Sequence, residues 1–198
     1  MIGTLFTAHE GLGTARRFPS VLPAASRVLA LQLGLMVLIG CAIAVLCQIK
    51  LSLRVPGHNI IRVVLPMALG LWLAPRRGAA TVMGLSGMAM AGALSLGGRA
   101  GLGTGALTSL ALTGLLLDLA LWGARSGWSV YVRLTLAGLA ANLLAMLVRG
   151  GSKWLSGGAV DGLPIELWWP TAVFTYPLCG LLAGLISAVV WFRASRGN

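Results

Sequence analysis

The chain has 198 residues, of which 58% are hydrophobic and only 10% charged, and its mean hydropathy is +0.91. A soluble domain carries about 25% charge, so lipid must be the main solvent here. The net charge of +11 is spread singly among apolar runs, which speaks against a nucleic-acid surface and for a topology bias and contact with anionic lipid.

Residues 1–26 are polar to mixed, with Pro19 and Pro23, and read as a cytoplasmic N-terminal tail. The first apolar segment covers about 28–49. Within it, Leu38-Ile39-Gly40-Cys41 matches a lipoprotein cleavage box downstream of Arg16-Arg17. The apolar run continues through Ala42 to Leu46, so an uncleaved first span is expected. The second segment, about 60–74, is short and carries Pro66, which predicts a kinked or partly spanning helix whose freed backbone groups are covered by neighbours. Four more follow at about 78–96, 103–123, 129–148 and 170–192. Most have the roughly 20 residues that cross ~30 Å of hydrocarbon. The expected fold is an all-α membrane protein: a compact bundle of six transmembrane helices over 27–193, with a second cytoplasmic tail at 194–198. The 28 glycines suit it, because close backbone approach holds helices together in lipid.

Lys and Arg in the connections set the orientation. With the N-terminus inside, eight fall inside: Arg16, Arg17, Arg27, Arg76, Arg77, Arg125, Arg193 and Arg196. Five fall outside: Lys50, Arg54, Arg99, Arg149 and Lys153. Both termini are expected in the cytoplasm, in a cell (inner) membrane.

Candidate chemistry is sparse. Asp118 and Arg133 sit equidistant from a turn near Arg125 and Ser126, so an ion pair fixing the register of two spans is expected. His58 and Asn59 precede Arg62 by four and three residues, so a helix places all three on one face near the outer surface. A fixed cation, an imidazole and an amide suit a small polar or anionic ligand, although Arg62 could also snorkel to headgroups. Trp168 and Trp169, between Pro164 and Pro170, read either as part of an interfacial aromatic belt or as an aromatic loop able to cover that pocket. Asn142, mid-span, should face protein. Together His58, Asn59, Arg62, Asn142, Trp168 and Trp169 make the expected substrate site.

Other motifs carry less. Gly101-Leu102-Gly103-Thr104-Gly105 follows no strand and reads as a tight interhelical turn. Gly84-Leu85-Ser86-Gly87 is similar to the nucleophile turn of intramembrane rhomboid proteases, but no histidine follows His58 to activate Ser86. Cys41, Cys47 and Cys179 lie in apolar runs without metal spacing. No catalysis, cofactor or metal is expected.

The stretch Arg62-Val63-Val64-Leu65-Pro66-Met67-Ala68-Leu69-Gly70, followed by Ala74-Pro75-Arg76-Arg77-Gly78-Ala79-Ala80, resembles the second and third spans of the S components of energy-coupling factor (ECF) vitamin transporters. Gly101 to Leu119, with Leu116-Leu117-Asp118, is similar to their fourth. The resemblance implies a subunit that holds a vitamin-like solute at its outer face. It then topples in the membrane, driven by a transmembrane T subunit and ATPases. It also implies docking through small residues on the first span, here Ser26, Ala30 and Gly34. A structural or assembly subunit of a larger membrane complex is the alternative, and an orphan membrane enzyme the next.

Overall fold

A computed structural model describes residues 7–17, 28–49, 55–97, 102–125, 127–160 and 164–194. Among them there are seven helices and no strand beyond two isolated bridges. They are α1 (Glu10–Ala15), α2 (Val28–Gln48), α3 (Ile61–Leu73, entered through a 3-10 turn His58–Ile60), α4 (Ala79–Leu96), α5 (Thr104–Leu121), α6 (Gly127–Leu155) and α7 (Ile165–Trp191). Four of them, α2, α4, α6 and α7, are long and apolar enough to cross a membrane, whereas α3 and α5 are shorter apolar helices. Many large apolar side chains point outward, Leu38, Leu119 and Phe174 among them. Water would penalise such a surface and lipid does not.

The six apolar helices α2 to α7 pack in the closed order α2, α4, α5, α6, α7, α3 and back to α2, with α3 also touching α4 and α5. That makes α3 the most enclosed element, with Val63, Val64, Met67, Ala68 and Leu71 shut off from the surface. Glycine sets the crossings. A Cβ on Gly40 of α2 would lie within 2.3 Å of the Met83 carbonyl of α4, and one on Gly184 of α7 within 2.3 Å of the Leu134 carbonyl of α6. Backbones this close are the small-residue packing that lipid favours. Gly84 and Gly87 have the same use, against α5 and α2. Ser86 between them donates to the Met83 carbonyl, 3.1 Å away.

Three boundaries differ from the sequence reading. First, α7 begins at Ile165, with Pro164 as its N-cap and Pro170 inside. Trp168 and Trp169 therefore lie on a helix and not in a loop; a proline in the early turns of an exposed helix end removes only one bond. Second, α6 runs on to Leu155 through Gly150 and Gly151, which puts Arg149 inside a helix. Third, the stretch assigned to the N-terminal tail holds α1, whose Leu12 and Ala15 join the main core.

Residues 8–17 form a strap across one end of the bundle. The His9 N–H donates to the Pro75 carbonyl (2.7 Å), and its ring Nε2 donates to the Leu121 carbonyl that ends α5 (2.5 Å). Arg16 donates to Leu73, the last residue of α3, at 3.2 Å. Arg17 donates from its side chain to Val189 (2.7 Å) and from its backbone to Trp191 (3.2 Å), at the end of α7. The last carbonyls of a helix have no partner within it and carry partial negative charge, so donors on basic residues suit them twice over.

Candidate functional site

At the end of the bundle opposite the strap lies a cavity of about 240 Å³. Its walls are the end of α2 (Cys47, Gln48), the turn into α3 (Gly57, Asn59, Ile60, Val63), the start of α5 (Leu102 to Ser109), two turns of α6 (Asn142, Ala145, Arg149) and Tyr176 of α7. Five segments far apart in sequence thus converge on one space.

Asn142 is the keystone. It is 2% exposed, and its amide nitrogen donates to the Tyr176 carbonyl at 2.7 Å and the Gly57 carbonyl at 3.2 Å. This pins the turn before α3 onto α6 and α7. Gly57 is required there: its φ is +84°, and a Cβ would lie 3.0 Å from the Asn142 amide nitrogen and 2.9 Å from the Tyr176 ring.

Arg149 lies two helical turns after Asn142, on the same face of α6. Its stem rests on Gly105 in the first turn of α5, where a Cβ would sit 3.2 Å from Arg149 Cδ. Its guanidinium reaches the Tyr176 hydroxyl at 3.5 Å. Behind Tyr176, the ring of Trp168 meets it edge-on at 5.9 Å and stacks on Trp169 at 5.5 Å. Both indoles also press on Gly150, the residue after Arg149. The tryptophans therefore buttress the wall from behind.

Of the residues expected to form the site, the structure brings Asn59 and Asn142 to the cavity. His58, Arg62, Trp168 and Trp169 do not line it. His58 Nδ1 donates to the Val55 carbonyl at 2.6 Å, closing its own turn. Arg62 donates to the Ile49 carbonyl at 2.6 Å, just past the end of α2, and lines a separate apolar groove with Leu46, Leu65, Pro66 and Trp191. The orphan carbonyls ending α2 take the cation that was expected in the pocket. Trp168 is fully buried among Met146, Val160 and Ala172.

Asp118 and Arg133 do not meet. The Asp118 carboxylate takes the N–H of Ala80 (3.3 Å) and the N–H (2.7 Å) and hydroxyl (2.6 Å) of Thr81, at the start of α4. Arg133 donates to the Ala120 carbonyl at 2.5 Å, near the end of α5. Each charge has found a helix end of opposite polarity, which is why equal depth did not make them partners. Ala30 and Gly34 of the expected dock are exposed on α2, with nothing within 4 Å of a Cβ on Gly34. Ser26 lies outside the described residues.

Gln48, Ser109 and Arg149 were missed as site residues. Arg149 was legible from its seven-residue spacing to Asn142, had the following glycines not marked it as a loop. Among the described residues no group of three or more His, Cys, Asp or Glu gathers as a metal site. The chain matches no family model, no curated protein and no solved structure.

Proposed function

We propose that this protein is a solute-binding integral membrane subunit that captures a small molecule at its outward end. Six helices cross the bilayer, α3 and α5 among them, with the strap end cytoplasmic. Basic residues support that orientation: among the described ones Arg16, Arg17, Arg76, Arg77, Arg125 and Arg193 lie at the strap end, against Arg149 and Lys153 at the other, and the sequence as a whole gives eight against five.

The observation that carries the reading is the cavity, a concave site with apolar walls and a few fixed polar groups, as small-molecule sites have. The resemblance to ECF S components supplies the rest of the proposal: a vitamin-like solute, a T subunit docked on the Ala30 and Gly34 face, and ATPases that drive release inward. The exposed small-residue face of α2 equally suits a subunit that only assembles a larger complex, and solute retention separates the two readings.

Mass spectrometry of small molecules released from the purified protein tests this. A specific solute should appear, and Ala106→Trp, which fills the cavity, should remove it while the helical circular-dichroism signal persists. Absence of any solute above a detergent control, together with no binding that Ala106→Trp alters, rejects solute capture.

A further inference from the structure

The cavity wall is electropositive: its amides and hydroxyls can donate or accept, but the described lining carries an arginine and no carboxylate. Arg149 is the cation on its wall, and no Asp or Glu is among the described residues that line it. Gln48 Nε2 is shut off from solvent and has no hydrogen-bond partner among the described residues. Ser109 is 8% exposed and turns toward the cavity. The first turn of α5 opens here, and its N-cap, Gly103, has no side chain to accept from the free N–H groups behind it. The Asn142 amide hydrogens go to the Gly57 and Tyr176 carbonyls and leave only its oxygen for a ligand.

Buried donors need acceptors, and an unmet one costs about 1–3 kcal/mol. The lone pairs must come from whatever fills the space. A carboxylate brings about four acceptor sites on two oxygens, fits the planar fork of an arginine, and carries the charge that a helix N-terminus favours. Beside Asn59 and Tyr176, the wall has an apolar stretch of Ile60, Val63, Leu102 and Ala145. The volume of about 240 Å³ is at or below the small end for ligand pockets and matches roughly eight waters at ~30 Å³ each.

We propose that the cavity takes a small monocarboxylate. Its carboxylate lies between Arg149 and the first turn of α5, within reach of Gln48 or Ser109, and its apolar body lies along Ile60 and Val63. This inference rests on the solute-capture reading and names its substrate class. Among the described lining residues Arg149 is the one cation, which matches one negative charge better than the two or more of di- and tricarboxylates and phosphate.

The test uses the full chain in detergent, stripped of bound small molecules. Thermal shift and calorimetry compare hexanoate and benzoate with hexanamide and benzamide, and with inorganic phosphate. The acids should stabilise the protein at millimolar concentration, with the amides at least tenfold weaker. Arg149→Gln should weaken acid binding roughly ten- to a hundred-fold. Gln48→Leu, which keeps bulk and removes the donor, gives a second reading should Arg149→Gln fold poorly, and should weaken the acids more than the amides. Equal binding of acids and amides, with Ala106→Trp abolishing both, overturns the carboxylate while solute capture stands. Phosphate binding tighter than the acids overturns it too. So does a lack of binding by either acid.

Discussion

The carboxylate of Asp118 on α5 accepts both the backbone N–H and the hydroxyl of Thr81 on α4, at 2.7 and 2.6 Å. A residue 37 positions away in sequence thus caps a helix whose own N-cap, Gly78, has no side chain to do so. The charge sits where the α4 dipole is positive.

Asp118→Asn should destabilise the protein by about 1–2 kcal/mol, because it loses the charge and half the acceptor capacity. Arg133→Leu should have its own, separate cost. Since each residue serves a different helix end, the double change should equal the sum within about 0.5 kcal/mol in a thermal-melt cycle. A clear coupling would mean the two charges interact after all.

Arg62→Ala should leave cavity binding unchanged. Its guanidinium closes the end of α2, so the expected loss is stability, about 1 kcal/mol for one hydrogen bond at a partly exposed site. A ten-fold loss of affinity without a loss of stability would return Arg62 to the pocket.

The strap should loosen in acid. Burial holds the His9 pKa below its ordinary value of 6.5, with Arg77 and Arg133 adding repulsion and the Leu121 hydrogen bond opposing both. The unfolded state then binds the extra proton first. Stability from this docked neutral ring is complete above 6.5 and declines as pH falls from there toward the folded value. Hydrogen exchange at residues 8–17, corrected for its intrinsic pH dependence, should accelerate as pH falls below 6.5. His9→Gln should flatten that profile; an unchanged profile would show that His9 is not the sensor.

Ala30→Trp tests the partner face. Both Ala30 and Gly34 are exposed, so added bulk should leave stability within about 0.5 kcal/mol of the parent. It should block close approach of a partner helix and abolish recovery of a T subunit in a pull-down, while the solute stays bound. Undiminished recovery removes this face as the dock.

The helices were legible because apolar runs of span length have few alternatives in lipid. All six expected segments coincide with α2 to α7, with ends shifted by a few residues. The shifts come from glycine and proline, which signal breaks in water. Gly150 sits inside α6 because the Trp168 and Trp169 rings need that space, and Gly151 continues the helix with nothing against it. Asn142 was legible as a mid-span amide that needs protein partners. Arg62 and Asp118 were recognised as costly charges, but their partners were backbone groups at helix ends, which residue type does not reveal. The strap had no signal: Glu10 to Ala15 is too short for periodicity, and tertiary bonds make it a helix.

Those strap bonds also govern which parts of the bundle can move. The last carbonyls of α3, α5 and α7 are tied by one short segment, so these three ends shift together or break several hydrogen bonds at once. The terminal carbonyls of α2, α4 and α6 lie at the other end, because these three run the other way, but α6 is held at the strap end by packing against α1. The clamp thus leaves out α2 and α4, and a hinge between this pair and the rest is the least costly route to widening the cavity from the α2 side.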